Sequence, residues 1–250
     1  MKIIINGILG KMGRSIVSIA LNEGFQIIAG LDRNETSLEN IPVFDNINEL
    51  PADADCIVDF SSPDGFMNVT KFCDERRIPL VSGTTGLDDN QKESLKKLSE
   101  RIPLFYSTNM SIAVGVVGKL ASDASALLPD ADVEIIEYHH RNKADAPSGT
   151  ALTIARKIAA VKGLEEKDFI FGRQGKTGIR PEKQIGIHAV RGGEIVGEHQ
   201  VLFALPDEEL IIIHRARDRK IFARGALIAV KWLAKKKPGL YSIENILMNE

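Results

Sequence analysis

Hydrophobic and polar positions divide the chain into two parts with different rhythms. In the first, KIIIN (2–6), QIIAGLD (26–32), CIVDFS (56–61), IPLVSG (78–83) and IPLFYS (102–107) are short runs apolar on both faces. Between them Met12, Ile16, Val17, Ala20 and Leu21 share one helical stripe that stops at Gly24. A helix is predicted across 67–76, and QKESLKKLSE (91–100) reads as a polar helix. Continuously apolar strands separated by helices predict a parallel sheet covered on both faces.

The rhythm changes after Asn109. A helix is predicted over 112–128, ending before Pro129; VEIIEYHH (133–140) is a strand, and ALTIARKIAAVKG (151–163) is a helix with a glycine at its stop. Residues 185–217 hold three strand-like runs joined by Gly192-Gly193 and Pro206-Asp207, which predicts an antiparallel meander. A last apolar-periodic helix, 221–235, carries Trp232. Two joined domains of different architecture are expected.

A formal net charge of −2 leaves no general nucleic-acid footprint, so any basic patch is local and suits a small anion. Cys56 and Cys73 match neither a metal spacing nor a disulfide framework, which predicts free thiols in a reducing compartment. Lys2 and its three isoleucines meet Asn6 and Gly7 too early for a signal segment. No stretch approaches the ~20 apolar residues of a membrane helix. A soluble cytoplasmic protein with neither membrane nor nucleic acid as partner is expected.

Between the first strand and first helix stands Gly7-Ile8-Leu9-Gly10-Lys11-Met12-Gly13, where a doubly wound fold needs a tight turn and close backbone approach to a pyrophosphate. The spacing is G-x-x-G-x-x-G rather than G-x-G-x-x-G, and glycines that merely turn the chain are the competing reading. Asp32 ends the second strand, where an acid accepts hydrogen bonds from ribose hydroxyls; Arg33 beside it suits a 2′-phosphate. Taken alone the pair also reads as a polar turn. Gly83-Thr84-Thr85 and Ser107-Thr108-Asn109-Met110 close two further strands and can approach a nicotinamide, or serve as ordinary turns.

The densest chemistry is EYHHRNKADAPSGT (137–150). His139, His140, Arg141 and Lys143 crowd cations just before Ser148-Gly149-Thr150 opens a helix, whose free N–H groups and positive end suit a carboxylate. A solvated turn with Ser148 as helix cap is the alternative. His188, His199 and His214 lie on strand patterns without shared spacing and read as packing or hydrogen-bonding residues.

E-Y-H-H-R-N-K-A-D-A-P-S-G-T-A (137–151) strongly resembles the signature of the 4-hydroxy-tetrahydrodipicolinate (dihydrodipicolinate) reductase family. The resemblance runs through the whole chain, including the 7–13 loop, D-F-S (59–61), G-T-T-G (83–86), the Asn109 segment, V-G-E-H (196–199) and F-A-R-G-A (222–226). It implies an α/β fold: a Rossmann-type doubly wound parallel sheet in 1–109, completed by 219–250, plus a second α+β domain with a mixed, largely antiparallel sheet in 110–218. The second domain would bind a small dicarboxylate substrate and build a homotetramer. The implied reaction reduces the heterocyclic dicarboxylate with NADH or NADPH, releasing water, without a metal. By family position His139 is the acid/base residue, Lys143 the proton donor, and His140, Gly149 and Thr150 bind substrate. A related amino-acid enzyme such as aspartate dehydrogenase would share the glycine loop but not the H-H-x-x-x-K…S-G-T run. A nucleotide-binding regulator would need an output module for which no segment remains.

Overall fold

The structure is a computed structural model and describes residues 1–248. It divides into two compact units, Met1–Ile112 with Lys220–Glu250, and Ala113–Arg219. The last two positions of the expected 219–250 return lie outside the described residues.

The first unit is an eight-stranded sheet. Its strands are β1 (Lys2–Asn6), β2 (Gln26–Leu31), β3 (Thr36–Leu38), β4 (Ile41–Phe44), β5 (Cys56–Asp59), β6 (Leu80–Ser82), β7 (Pro103–Tyr106) and β13 (Gly239–Tyr241), in the order β13-β7-β6-β5-β1-β2-β4-β3. All pairings are parallel except β3 with β4. Strand order reverses at β1, the switch point at which doubly wound sheets bind ligands beyond the carboxyl ends of their strands. Helix α1 (Lys11–Ala20) buries Ile16, Val17, Ile19 and Ala20 against α6 (Lys220–Leu233), whose Ala223, Ala226, Leu227, Val230 and Leu233 are wholly buried. Leu21 departs from the expected stripe: the helix ends at Ala20, and Leu21 begins a 3₁₀ turn that leaves it 47% exposed. On the other side, α2 (Pro63–Arg76) and α3 (Asp89–Ser99) cover Ile4, Ile57, Leu80 and Leu104. Cys56 and Cys73 are free and buried.

The second unit has five strands in the order β12-β11-β8-β10-β9: β8 (Asp132–His139), β9 (Phe169–Phe171), β10 (Ile185–Arg191), β11 (Gly197–Ala204) and β12 (Glu209–Ala216). The expected meander over 185–217 is corrected. β11 and β12 form the antiparallel hairpin, but β8 lies between β10 and β11, antiparallel to β11 and parallel to β10. The glycine segment after β10 is therefore not a hairpin turn. It crosses the end of β8, where Gly192 donates to the His139 carbonyl (3.0 Å) and Arg141 donates to that of Gly193 (3.2 Å). Alternation along β8 turns Val133, Ile135 and Glu137 inward; α4 (Ile112–Leu127) adds Val117 and Ala121 to the same core, and α5 (Gly149–Lys162) covers that face with Ile154, Ala155 and Ile158.

On the opposite face Glu134 gathers Arg173 through two bonds (2.8 and 3.0 Å), Arg180 (3.0 Å) and His188 (2.7 Å), while Arg180 also bonds Asp132. Burial pushes the Glu134 carboxyl up, but these donors outweigh it and hold its pKa at about 2, against an ordinary 4.5. A carboxylate depressed on folding contributes stability that is complete above its unfolded value and lost as it protonates. Acid titration is therefore expected to remove on the order of 3 kcal/mol as pH falls from about 4.5 toward about 2. Glu134→Gln should flatten that part of the denaturant-midpoint profile; an unchanged profile would refute the assignment.

Candidate active site

At the switch point of the first sheet the chain leaves Asn6 through Gly7, whose φ of +77° belongs to the left-handed region. A side chain there would meet the Phe60 carbonyl at 2.6 Å. Gly13 packs still closer: a Cβ would stand 2.2 Å from the Gly7 carbonyl oxygen and 2.5 Å from Ile8 Cα. These two contacts draw the start of α1 onto the loop. Gly10 caps α1 without a side-chain bond, and Lys11 and Arg14 flank the uncapped amides. Unblocked N–H groups at a helix start with cations beside them fit a pyrophosphate.

Asp32 has a second task. Its Oδ2 accepts from the Leu9 amide and its Oδ1 from that of Arg33, both at 2.8 Å, so the acid pins the glycine loop and keeps further lone pairs for hydroxyls. Arg33 is exposed, and Ile8 is wholly buried, which leaves only its backbone to a ligand.

The remaining candidate cofactor residues are joined by Asp59, a residue to which motif and periodicity give no task. This fully buried carboxylate accepts from Asn6 Nδ2 (2.8 Å), Ser61 Oγ (2.6 Å), Ser82 Oγ (2.7 Å) and Thr84 Oγ1 (2.8 Å), tying together the ends of β1, β5 and β6. Thr84 thus turns inward, Gly83 packs on the Phe60 ring, and Thr85 is exposed. Ser107 Oγ donates to the Asn109 carbonyl (2.6 Å), Asn109 Oδ1 accepts from Ser111 N–H (2.9 Å), Thr108 is exposed, and Met110 is buried in the core.

In the second unit the sheet register assembles the charged cluster. Arg191 pairs with His139 in one rung; Ala189, Glu137, His199 and His214 line up in the next inward-facing one. Glu137 is fully buried. It receives Arg191 through two bonds of 2.8 Å, the Ser148 amide at 3.0 Å, and His139 Nδ1 at 2.5 Å. Burial raises the Glu137 pKa, but Arg191, His139 and the Ser148 amide outweigh it and keep the group below the usual carboxylate range. His139 lies below its ordinary 6.5: burial lowers it, Glu137 raises it, and Lys143 and Arg191 lower it again.

Ser148 caps α5 by accepting from Ala151 N–H (3.2 Å), which leaves its hydroxyl proton for His199 Nε2 at 3.1 Å. His199, pushed down to about 4 chiefly by burial, packs edge-on to the His139 ring with centroids 5.3 Å apart. Its neutral ring fills space and holds the cap; the packing and hydrogen-bonding role expected for it lies inside the cluster. His188 is on the opposite face with Glu134. Lys143 Nζ holds both oxygens of the exposed Asp145 (2.7 and 2.9 Å), and His140 Nε2 is 3.2 Å from Arg219 Nη2. Gly149, at the start of α5, has open space where a Cβ would stand. His139, Lys143, His140, Gly149 and Thr150 thus all belong to this unit, together with Glu137, Arg191, His199 and Arg219. Among the described residues no three His, Cys, Asp or Glu side chains are grouped to hold a metal ion.

Comparison with known proteins covers the whole chain. Residues 1–110 match the family model of the dihydrodipicolinate reductase N-terminus and 113–247 that of its C-terminus. The 4-hydroxy-tetrahydrodipicolinate reductase of Caldanaerobacter subterraneus subsp. tengcongensis is 43% identical over 247 residues, 98% of each chain. A dipicolinate-bound dihydrodipicolinate reductase from Paenisporosarcina sp. TG-14 has a TM-score of 0.83 at 29% identity, covering 98% of this chain and 99% of that one. The aspartate dehydrogenase of Thermotoga maritima, covering 95% of this chain and 98% of its own, reaches a TM-score of 0.53 at 12% identity, a likeness of fold alone. The resemblance read in residues 137–151 is borne out across both units.

Proposed function

The chain belongs to the dihydrodipicolinate reductase family, and from that premise we propose how its residues divide the work. It is an NAD(P)H-dependent oxidoreductase that reduces 4-hydroxy-tetrahydrodipicolinate to tetrahydrodipicolinate with loss of water, a step of lysine and diaminopimelate biosynthesis. The aspartate dehydrogenase alternative falls with the family match.

NADH or NADPH supplies the hydride. In our reading Gly7, Ile8, Leu9, Gly10, Lys11 and Met12 cradle its pyrophosphate with backbone amides and the Lys11 cation. Asp32 and Arg33 address the adenosine ribose. Gly83, Thr84, Thr85, Ser107, Thr108, Asn109 and Met110 line the nicotinamide end, Ile8, Thr84 and Met110 through backbone groups. Arg33 is the residue able to meet a 2′-phosphate, and a charge-assisted bond lost there is worth ~1.5–3 kcal/mol. Arg33→Ala should raise KM for NADPH about 10-fold or more and leave KM for NADH within about 2-fold; equal changes for both would refute the assignment.

The substrate's two carboxylates are bound, in this proposal, by His140 and by the start of α5 at Gly149 and Thr150. Loss of the 4-hydroxyl together with a proton from the adjacent ring carbon releases water and leaves a C=C conjugated with the ring C=N. Hydride added to that system leaves negative charge on the ring, which a proton must neutralise. Lys143 donates it, with His139 as acid/base partner. The observation that carries this reading is the gathering of His139, within the field of Lys143, with the start of α5, which Glu137 ties to His139 and where Gly149 has open space. A substrate carboxylate competes with Asp145 for the Lys143 ammonium.

The deciding assay mixes the protein with freshly generated 4-hydroxy-tetrahydrodipicolinate and either cofactor and follows loss of the reduced-nicotinamide absorbance. Substrate-dependent oxidation is expected; none from folded protein with either cofactor would sink the reading. A homotetramer built through the second sheet is supported by Ile211 and Ile213, 44% and 47% exposed on edge strand β12. Light scattering that gives a monomer mass would count against it. The two buried free thiols support a cytoplasmic location, which cell fractionation tests.

A further inference from the structure

Two residues N-terminal to His139 lies a carboxylate to which the reaction assigns no task. Glu137 is wholly inaccessible, yet it stands on the inward face of β8, where Val133 and Ile135 precede it. A buried charge of this kind is costly unless paired and hydrogen-bonded. Here every bond has a direction. Arg191 donates to both oxygens, so the group is an ionised acceptor. His139 Nδ1 at 2.5 Å must therefore carry the proton it shares with Glu137 Oε2. That fixes the free lone pair of the neutral ring on Nε2. The absent side chain of Gly197 keeps space beside this nitrogen: a Cβ there would stand 3.1 Å from it. Glu137 Oε1 meanwhile accepts from the Ser148 amide, the residue that caps α5.

We propose that Glu137, held by Arg191, is a positioning residue that sets the tautomer of His139, presents Nε2 as the working nitrogen, and ties it to the substrate-binding start of α5. The proposal rests on the reductase reading for the task of Nε2, though not for the tautomer itself. Groups facing His139 are Glu137 on its own strand, Arg191 on β10, His199 on β11 and Lys143 in the following loop; behind His199 stands His214 on β12. Of these only Glu137 favours the imidazolium, so its removal displaces the His139 titration further toward acid.

The test has two parts, both on the full chain. Long-range proton–nitrogen spectra of the wild type labelled with ¹⁵N-histidine are expected to show neutral His139 as the Nδ1–H form. In Glu137→Gln that preference should be lost, and Glu137→Asp should restore it in part. In the turnover assay Glu137→Gln should lower kcat about 100-fold and move the alkaline fall of kcat toward acid by about one unit or more. A wild-type Nε2–H tautomer would overturn the proposal, and needs no variant to fold. So would a Glu137→Gln enzyme with the wild-type pH profile, its rate falling only in step with Tm. Absence of wild-type turnover would count against the reductase reading alone, and the nitrogen spectra would still decide the tautomer.

Discussion

Replacing His139 by Gln and Lys143 by Ala together is expected to lower kcat by roughly 10³–10⁴ or more, since each positioned proton-transfer group typically contributes ~10²–10⁴. The two sit in one electrostatic unit, because Lys143 depresses the His139 imidazolium. Their losses should therefore not add; the second substitution is expected to cost much less than the first. In the free protein His139 lies below its ordinary 6.5. Two arriving carboxylates favour the imidazolium, so dicarboxylate binding should draw in a proton. Calorimetry of dipicolinate binding in buffers of different ionisation enthalpy measures that uptake, which the double variant should lack. Full turnover by the folded double variant would remove both residues from the mechanism.

Gly13→Ala is expected to abolish measurable cofactor binding, raising Kd by at least about 100-fold, and to cost about 1–3 kcal/mol of stability. The added carbon would lie 2.2 Å from the Gly7 carbonyl oxygen and 2.5 Å from Ile8 Cα. Both are backbone atoms, so no rotamer change relieves the overlap; the start of α1 must back away from the loop. Overpacking of this kind has the quoted cost, and the movement misplaces the amides a pyrophosphate needs. Titration of NADH fluorescence and a denaturant melt measure the two effects. A variant that binds cofactor as the wild type does would show that the loop plays no part in binding.

Periodicity carried much of this fold into view. Runs such as KIIIN and CIVDFS are apolar on both faces because helices cover both sides of their sheet, and such runs are recognisable without a partner strand. Which strand lies beside which is less visible. A glycine pair between two strand-like runs reads as a hairpin, yet here it passes over the end of β8. Only the pairing of β8 with β11, far apart in the chain, decides that. The site shows the same division. His139, Lys143 and the start of α5 fall in one short segment and could be quoted as a motif, while Arg191 and His199 reach the cluster from separate strands. Glu137 did leave a signal: a period of two from Val133 and Ile135 puts a carboxylate on the buried face. Asp59, closing a wholly buried strand, left another.

The return of residues from Lys220 onward to the first sheet has a consequence for how the protein is made. Helix α1 buries its apolar stripe on α6, which is synthesised only after all of Ala113–Arg219. At ordinary elongation rates of about 5–20 residues per second, the roughly 200 residues between the end of α1 and the start of α6 keep α1 waiting about 10–40 s for its partner. Over that interval Ile16, Val17 and Ala20 have no α6 to cover them, so the emerging chain offers a sticky surface to chaperones and to neighbouring nascent chains. A truncated product ending at Ile112 should bind a hydrophobic dye that the finished protein ignores.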